Sequence, residues 1–130
     1  MTNSYESEIS VNLERAEESI QAAKILAAAG YFDFAASRAY YTAFYAAIAA
    51  ILSQGLRFKQ HRSVIKAIHK DFVKTGIIEK EYGKNLNWLF ELRSIGDYGE
   101  SRHVLPEEAQ EAIVAGEAFL NKIKEILGRS

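Results

Sequence analysis

The chain has 130 residues, a formal net charge of −1, a single proline and no cysteine. That length suits one domain with its own core, and the lack of cysteine excludes disulfides and thiolate metal sites. The start, MTNSYESEIS, is polar and acidic rather than a secretory signal, and the apolar run at 39–52 is too short to span a bilayer, so a cytoplasmic protein without membrane contact is expected.

The first helix is expected from about Ser4 to Ala29. Ile9, Leu13, Ala16, Ile20, Ala23 and Leu26 step by three and four along one stripe, and Gly30 ends it. Asp33 is placed to cap a second helix that runs to Ser53 or Gln54. On that helix Phe34, Arg38, Tyr41, Tyr45, Ile48 and Leu52 share a face. After the loop GLRFKQ, a third helix spans about His61 to Lys74, with Val64, Ile65, Ile68 and Phe72 inward. A fourth spans about Glu79 to Asp97, with Tyr82, Leu86, Leu89, Phe90 and Leu92 as its apolar set. Pro106 suits the first turn of a fifth, where Glu107 and Glu108 favour the positive helix end. Ala109, Ala112, Ile113, Gly116, Phe119, Leu120, Ile123 and Leu127 form its inner face. Helices joined by short turns predict an all-α, antiparallel up-and-down bundle of about five helices, one domain over 1–130.

Charge is unevenly spread. The 54–76 stretch holds Arg57, Lys59, Arg62, Lys66, Lys70 and Lys74 against Asp71, while 1–32 holds Glu6, Glu8, Glu14, Glu17 and Glu18 against Arg15 and Lys24. Two readings follow. The basic stretch is a solvated face opposing the acidic first helix, or Arg57, Lys59, His61, Arg62 and Lys66 contact phosphates.

An arginine inside an alanine- and aromatic-rich helix is costly to bury alone. Arg38 therefore needs an acid from another helix, or a site to face. With Tyr40, Tyr41 and Tyr45 near it, it is either a buried anchor or part of a groove offering a cation and phenols to a phosphate and a stacked base. Arg93 and Asp97 lie four apart and can pair on one helix face. An acid near a helix C-terminus needs a cation, and Asp97 has two candidates, Arg93 and Arg38. Arg38 and Asp97 are expected to meet within salt-bridge distance. The candidate ligand groove is Arg38, Tyr41, Tyr45, Arg93, Asp97 and Tyr98.

The segments SRAYYTAFYAA (37–47), GLRFKQH (55–61), FVKTG (72–76) and ELRSIGDYG (91–99) follow an order and spacing that resembles the HEPN domain family. Within it, the chain resembles the small stand-alone prokaryotic members, over about residues 8–127. The resemblance implies a helical bundle, a homodimer, and pairing with a small nucleotidyltransferase-type protein in a toxin–antitoxin-like couple. It also implies nucleotide binding and, for many members, metal-independent ribonuclease activity. Those members carry an arginine followed, after four to six residues, by a histidine. The imidazole moves a proton near neutral pH and the arginine stabilises charge on the phosphate.

This chain departs from that pattern. Tyr45 stands where a histidine after Arg38 would, and Tyr98, Gly99 and Glu100 stand where one after Arg93 would. Arg62 and His69 match the spacing, but seven arginines and three histidines produce such a match readily by chance. Arg102 and His103 are adjacent. No catalytic residue is therefore assigned, and no metal or cofactor is expected. The expected function is a nucleotide- or RNA-associated binding module. A ribonuclease toxin and a purely structural interaction module are the alternatives. Tyr31, Phe32, Phe58 and Trp88 are candidates for the dimer surface.

Overall fold

The second helix decides the architecture. In the computed structural model, which describes residues 5–99 and 101–129, α2 (Phe32–Ser53) touches every other helix. Around it pack α1 (Glu6–Ala28), α3 (His61–Ile68), α4 (Lys80–Tyr98) and α5 (Pro106–Ile126). Ala35, Ala36, Ala39, Ala43, Ala46, Ala47, Ala49 and Ala50 are all buried. With Tyr40, Thr42, Phe44 and Ile51 they bury about two-thirds of the circumference of α2, and a helix so widely covered belongs in the middle of a fold. α1 and α5 are amphipathic walls. Ile9, Leu13, Ala16, Ile20 and Ala23 on α1, and Ala109, Ala112, Ile113, Phe119, Leu120 and Ile123 on α5, face inward as their spacing requires. The bundle is all-α, with no strand among the described residues.

Two glycines let neighbours cross α2 closely. A Cβ on Gly116 of α5 would lie 2.7 Å from the Ala39 carbonyl oxygen, and one on Gly96 of α4 would lie 2.5 Å from that of Asp33. Backbone oxygens cannot swing aside as side chains do, so these contacts fix where α4 and α5 sit.

Two local expectations are corrected. Asp33 does not cap α2; Tyr31 holds that position and Asp33 lies in the first turn. Its carboxylate instead accepts from Val104 N at 2.7 Å and lies 2.6 Å from His103 Nδ1. Asp33 thus straps the loop before α5 to the start of α2. Burial pushes its pKa up, but His103 and the Val104 N–H outweigh burial and hold it below the usual value. The third helix is not α-helical to Lys74, because His69–Val73 forms a π-helical turn. Here the His69 ring lies on α4 at Gly83, where a Cβ would come within 2.8 Å of its Cε1, and Nε2 is 3.0 Å from Asn87 Oδ1. The stripe of Phe34, Arg38, Tyr41, Tyr45 and Ile48 is the partly exposed face of α2, and only Leu52 at its end is buried.

The acids of α1 find partners other than the basic middle of the chain. Glu17 pairs with Lys124 at 2.7 Å and Glu6 with Arg129, and only Glu8 reaches that stretch, at Arg57, 2.7 Å away. α1 and α3 are not in contact, though Glu8, Asn12 and Val64 line one cavity between them. Exposed pairs of this kind contribute at most about 1 kcal/mol each.

Candidate functional site

Arg93, not Arg38, is the anchored cation. Its side chain is 15% exposed and that of Asp97 26%, and Arg93 Nε lies 2.8 Å from Asp97 Oδ2. This N–H is not aligned on the oxygen, so the contact is a charge pair more than a hydrogen bond. The hydrogen bond runs instead from Arg93 Nη2 to the Tyr41 hydroxyl, at 2.9 Å. Asp97 also accepts from the Ser37 hydroxyl of α2. The expected Arg38–Asp97 pair does not form, for two reasons. Arg93 reaches Asp97 along a single helix face without help from another element. Across the interface Ser37 is the residue that faces α4, and Arg38 is turned about 100° further round α2.

Arg38 is half-buried, with its guanidinium carbon 4.7 Å from the Tyr41 ring centroid. Among the described residues it makes no ion pair. Arg93 approaches the same ring at 5.5 Å, and Tyr45 lies 5.9 Å from it. Tyr98, largely exposed, has Arg93 5.8 Å from its ring. Five of the six expected groove residues therefore form one connected cluster at the surface, and Asp97 sits behind Arg93. Arginine over tyrosine contributes about 0.5–2 kcal/mol per contact. Burial opposes the Arg93 charge, yet Tyr41 and Asp97 outweigh it and raise its pKa.

His61 belongs to this cluster rather than to a basic face. Its ring stacks on Phe44 with centroids 4.0 Å apart, and Nδ1 is 2.8 Å from the Tyr40 hydroxyl. Tyr40 is fully buried, and burial pushes its pKa up. Burial, and then the nearby Arg93 charge, lower the His61 pKa from 6.5, so this imidazole is neutral at pH 7. The chain thus brings an imidazole beside an arginine in space, although no local Arg–His motif supplies one. Sequence reasoning missed this because His61 arrives from another helix. The usable signal was Tyr40, a buried hydroxyl that requires a partner.

A pH dependence follows. Below pH 6.5 the unfolded chain binds a proton at His61 more readily than the folded one, so stability declines from about pH 6.5 down to the lower folded value. Thermal melts between pH 7.5 and 5 should show this decline, and His61→Gln should flatten it. An identical slope in the variant would show that the decline arises elsewhere.

The residues of the expected basic face part company. Arg57 turns to Glu8 and to the Tyr5 ring, 5.0 Å away, beside a cavity of about 210 Å³ floored by Ile48, Leu52 and Val64. Lys59 and Arg62 are exposed, and Lys66 joins a separate lysine-lined groove with His69. His69 is engaged by Asn87 and lies about 10 Å along the helix from Arg62. Tyr31 and Phe58 are exposed, while Phe32 and Trp88 are half-buried. No helix among the described residues is long and apolar enough to cross a membrane.

The family described as HEPN domain matches residues 9–126. A Thermotoga maritima protein named "UPF0332 protein" is 39% identical over 87% of this chain and 86% of its own length. Two Methanocaldococcus jannaschii proteins are also similar. "Putative toxin MJ0142" is 34% identical over 95% of this chain and 84% of its own length. "Putative toxin MJ0605" is 38% identical over 92% and 89%. With nearly the whole bundle matched and these relatives matched over 84–89% of their own length, the chain belongs to the HEPN domain family.

Proposed function

We propose that the chain is a nucleotide- or RNA-associated binding module that works as a homodimer with a nucleotidyltransferase-type partner, in a toxin–antitoxin-like couple. The observation that carries this reading is Arg38, a guanidinium without an acidic partner among the described residues, held over Tyr41 beside the anchored Arg93. Arg38 takes the phosphate and the exposed faces of Tyr45 and Tyr98 take the base. Arg93 keeps Tyr41 in place. The toxin names of two relatives support the toxin side of the couple. Calorimetry with ATP, GTP and AMP tests the ligand. Binding by the wild type and at least tenfold weaker binding by Arg38→Ala are expected. Flat traces with all three would favour a purely structural interaction module. Light scattering after size exclusion tests the dimer.

A second reading, a metal-independent ribonuclease, is favoured by one observation: His61 and Arg93 converge on the Tyr40 ring, 5.8 and 5.6 Å from its centroid. A neutral imidazole can take the 2′-hydroxyl proton while a guanidinium stabilises charge on the phosphate. Metal-free cleavage of labelled RNA by the wild type, lost in both His61→Gln and Arg93→Ala, would move the site from binding to catalysis.

A further inference from the structure

Lys66, Lys70, Lys74 and Lys80 surround a groove of about 720 Å³ between α3, the π-helical turn and the start of α4. His69 and Val73 complete its lining, and no carboxylate lines it. None of the four lysines has an acidic partner among the described residues. Gathered like charges repel one another and weaken the compact state. In a chain of net charge −1, such a gathering is no by-product of a basic composition. α1 makes no contact with α3 or the π-helical turn, and none of its carboxylates pairs with these lysines.

The spacing is ordered. Lys66, Lys70 and Lys74 follow at four-residue steps, each about 6 Å along the helix axis. In an α-helix every such step overshoots a full turn by about 40°. The turn at His69–Val73 is π-helical and wider, so the step from Lys70 to Lys74 falls short and brings the row back into line. The row also turns away from the aromatic cluster, since Lys66 lies about 140° round the helix from His61.

We propose that this groove binds the phosphate backbone of a nucleic acid strand, without regard to base sequence. Lysine ammoniums are point charges on flexible stems and suit successive phosphates. Carboxylates of an acidic protein are better met by arginine forks, and no arginine lines the groove. The inference rests on the RNA side of the proposed function for its ligand class only, and its test uses different residues and a different probe.

The full chain is titrated against a fluorescent uridine 20-mer over a series of salt concentrations. One variant carries Lys70→Gln and Lys74→Gln. A control loses the same charge through Arg15→Gln and Lys24→Gln on α1. All four positions are exposed. The groove variant should bind at least fivefold more weakly, and its slope of log affinity on log salt should be shallower by about 1.4. The control should stay within twofold of the wild type. Three results would overturn the proposal: no strand binding by the wild type, equal losses in both variants, or displacement by polyglutamate as effective as by unlabelled RNA. Arg38→Ala separates the two readings, because it should leave strand binding intact even where it abolishes nucleotide binding.

Discussion

Replacing Gly116 by valine should cost about 3 kcal/mol of stability and lower the melting midpoint by roughly 10 °C. A side chain at this position meets the Ala39 carbonyl oxygen, with Cβ only 2.7 Å from it. That oxygen belongs to the backbone of the central helix, so relief requires α5 to move off α2 or α2 to shift against all its neighbours. Gly116→Ala is the sharper test. Alanine favours a helix over glycine by about 1 kcal/mol, yet its Cβ meets the same oxygen, so this variant should still lose stability in urea unfolding. An alanine variant as stable as the wild type would show that α5 can slide without loss, and that the close crossing does not hold the bundle.

The second large effect is expected at Arg93. Arg93→Met keeps most of the side-chain bulk but removes the cation from Asp97 and the donor from Tyr41. A half-buried carboxylate and a phenol are then left short of partners, and a loss of about 2 kcal/mol follows. It should appear as a lower urea midpoint with an unchanged slope. The double variant Arg93→Met, Asp97→Asn should recover about 1 kcal/mol of this, because the stranded charge is gone while the amide still accepts from Ser37. If the double variant is no more stable than the single one, Arg93 matters for its packing and not for the charge it neutralises. Nucleotide binding should weaken in both, since Tyr41 loses the hydrogen bond that orients it for Arg38.

How far the sequence could be read depended on how local each feature is. The inward stripes of α1, α3 and α5 were legible because helical periodicity repeats over several turns. The burial of α2 was legible because alanines and aromatics fill most of its circumference. The π-helical turn was not, since it accompanies a meeting between His69 and Gly83, residues on different elements. The partner of Asp97 was not settled by charge, because Arg38 and Arg93 both qualified. The direction in which Ser37 points decided it. His61 was misplaced for a similar reason: counting residues from an arginine finds a histidine on the same helix and misses one delivered across the bundle. The cluster at Arg38, Tyr41, Tyr45, Arg93 and Tyr98 was legible because each member lies three to five residues from another on one of two helices.

The short α3 carries a further consequence. With only eight residues it is below the length at which a helix stands alone, so it exists only while docked. An imidazole pins it at each end, His61 to Tyr40 on α2 and His69 to Asn87 on α4. One end belongs to the aromatic cluster and the other to the lysine groove. Val64, Ile65, Ala67 and Ile68 seal it to the core between those ends, so a single docked element holds both sites in register.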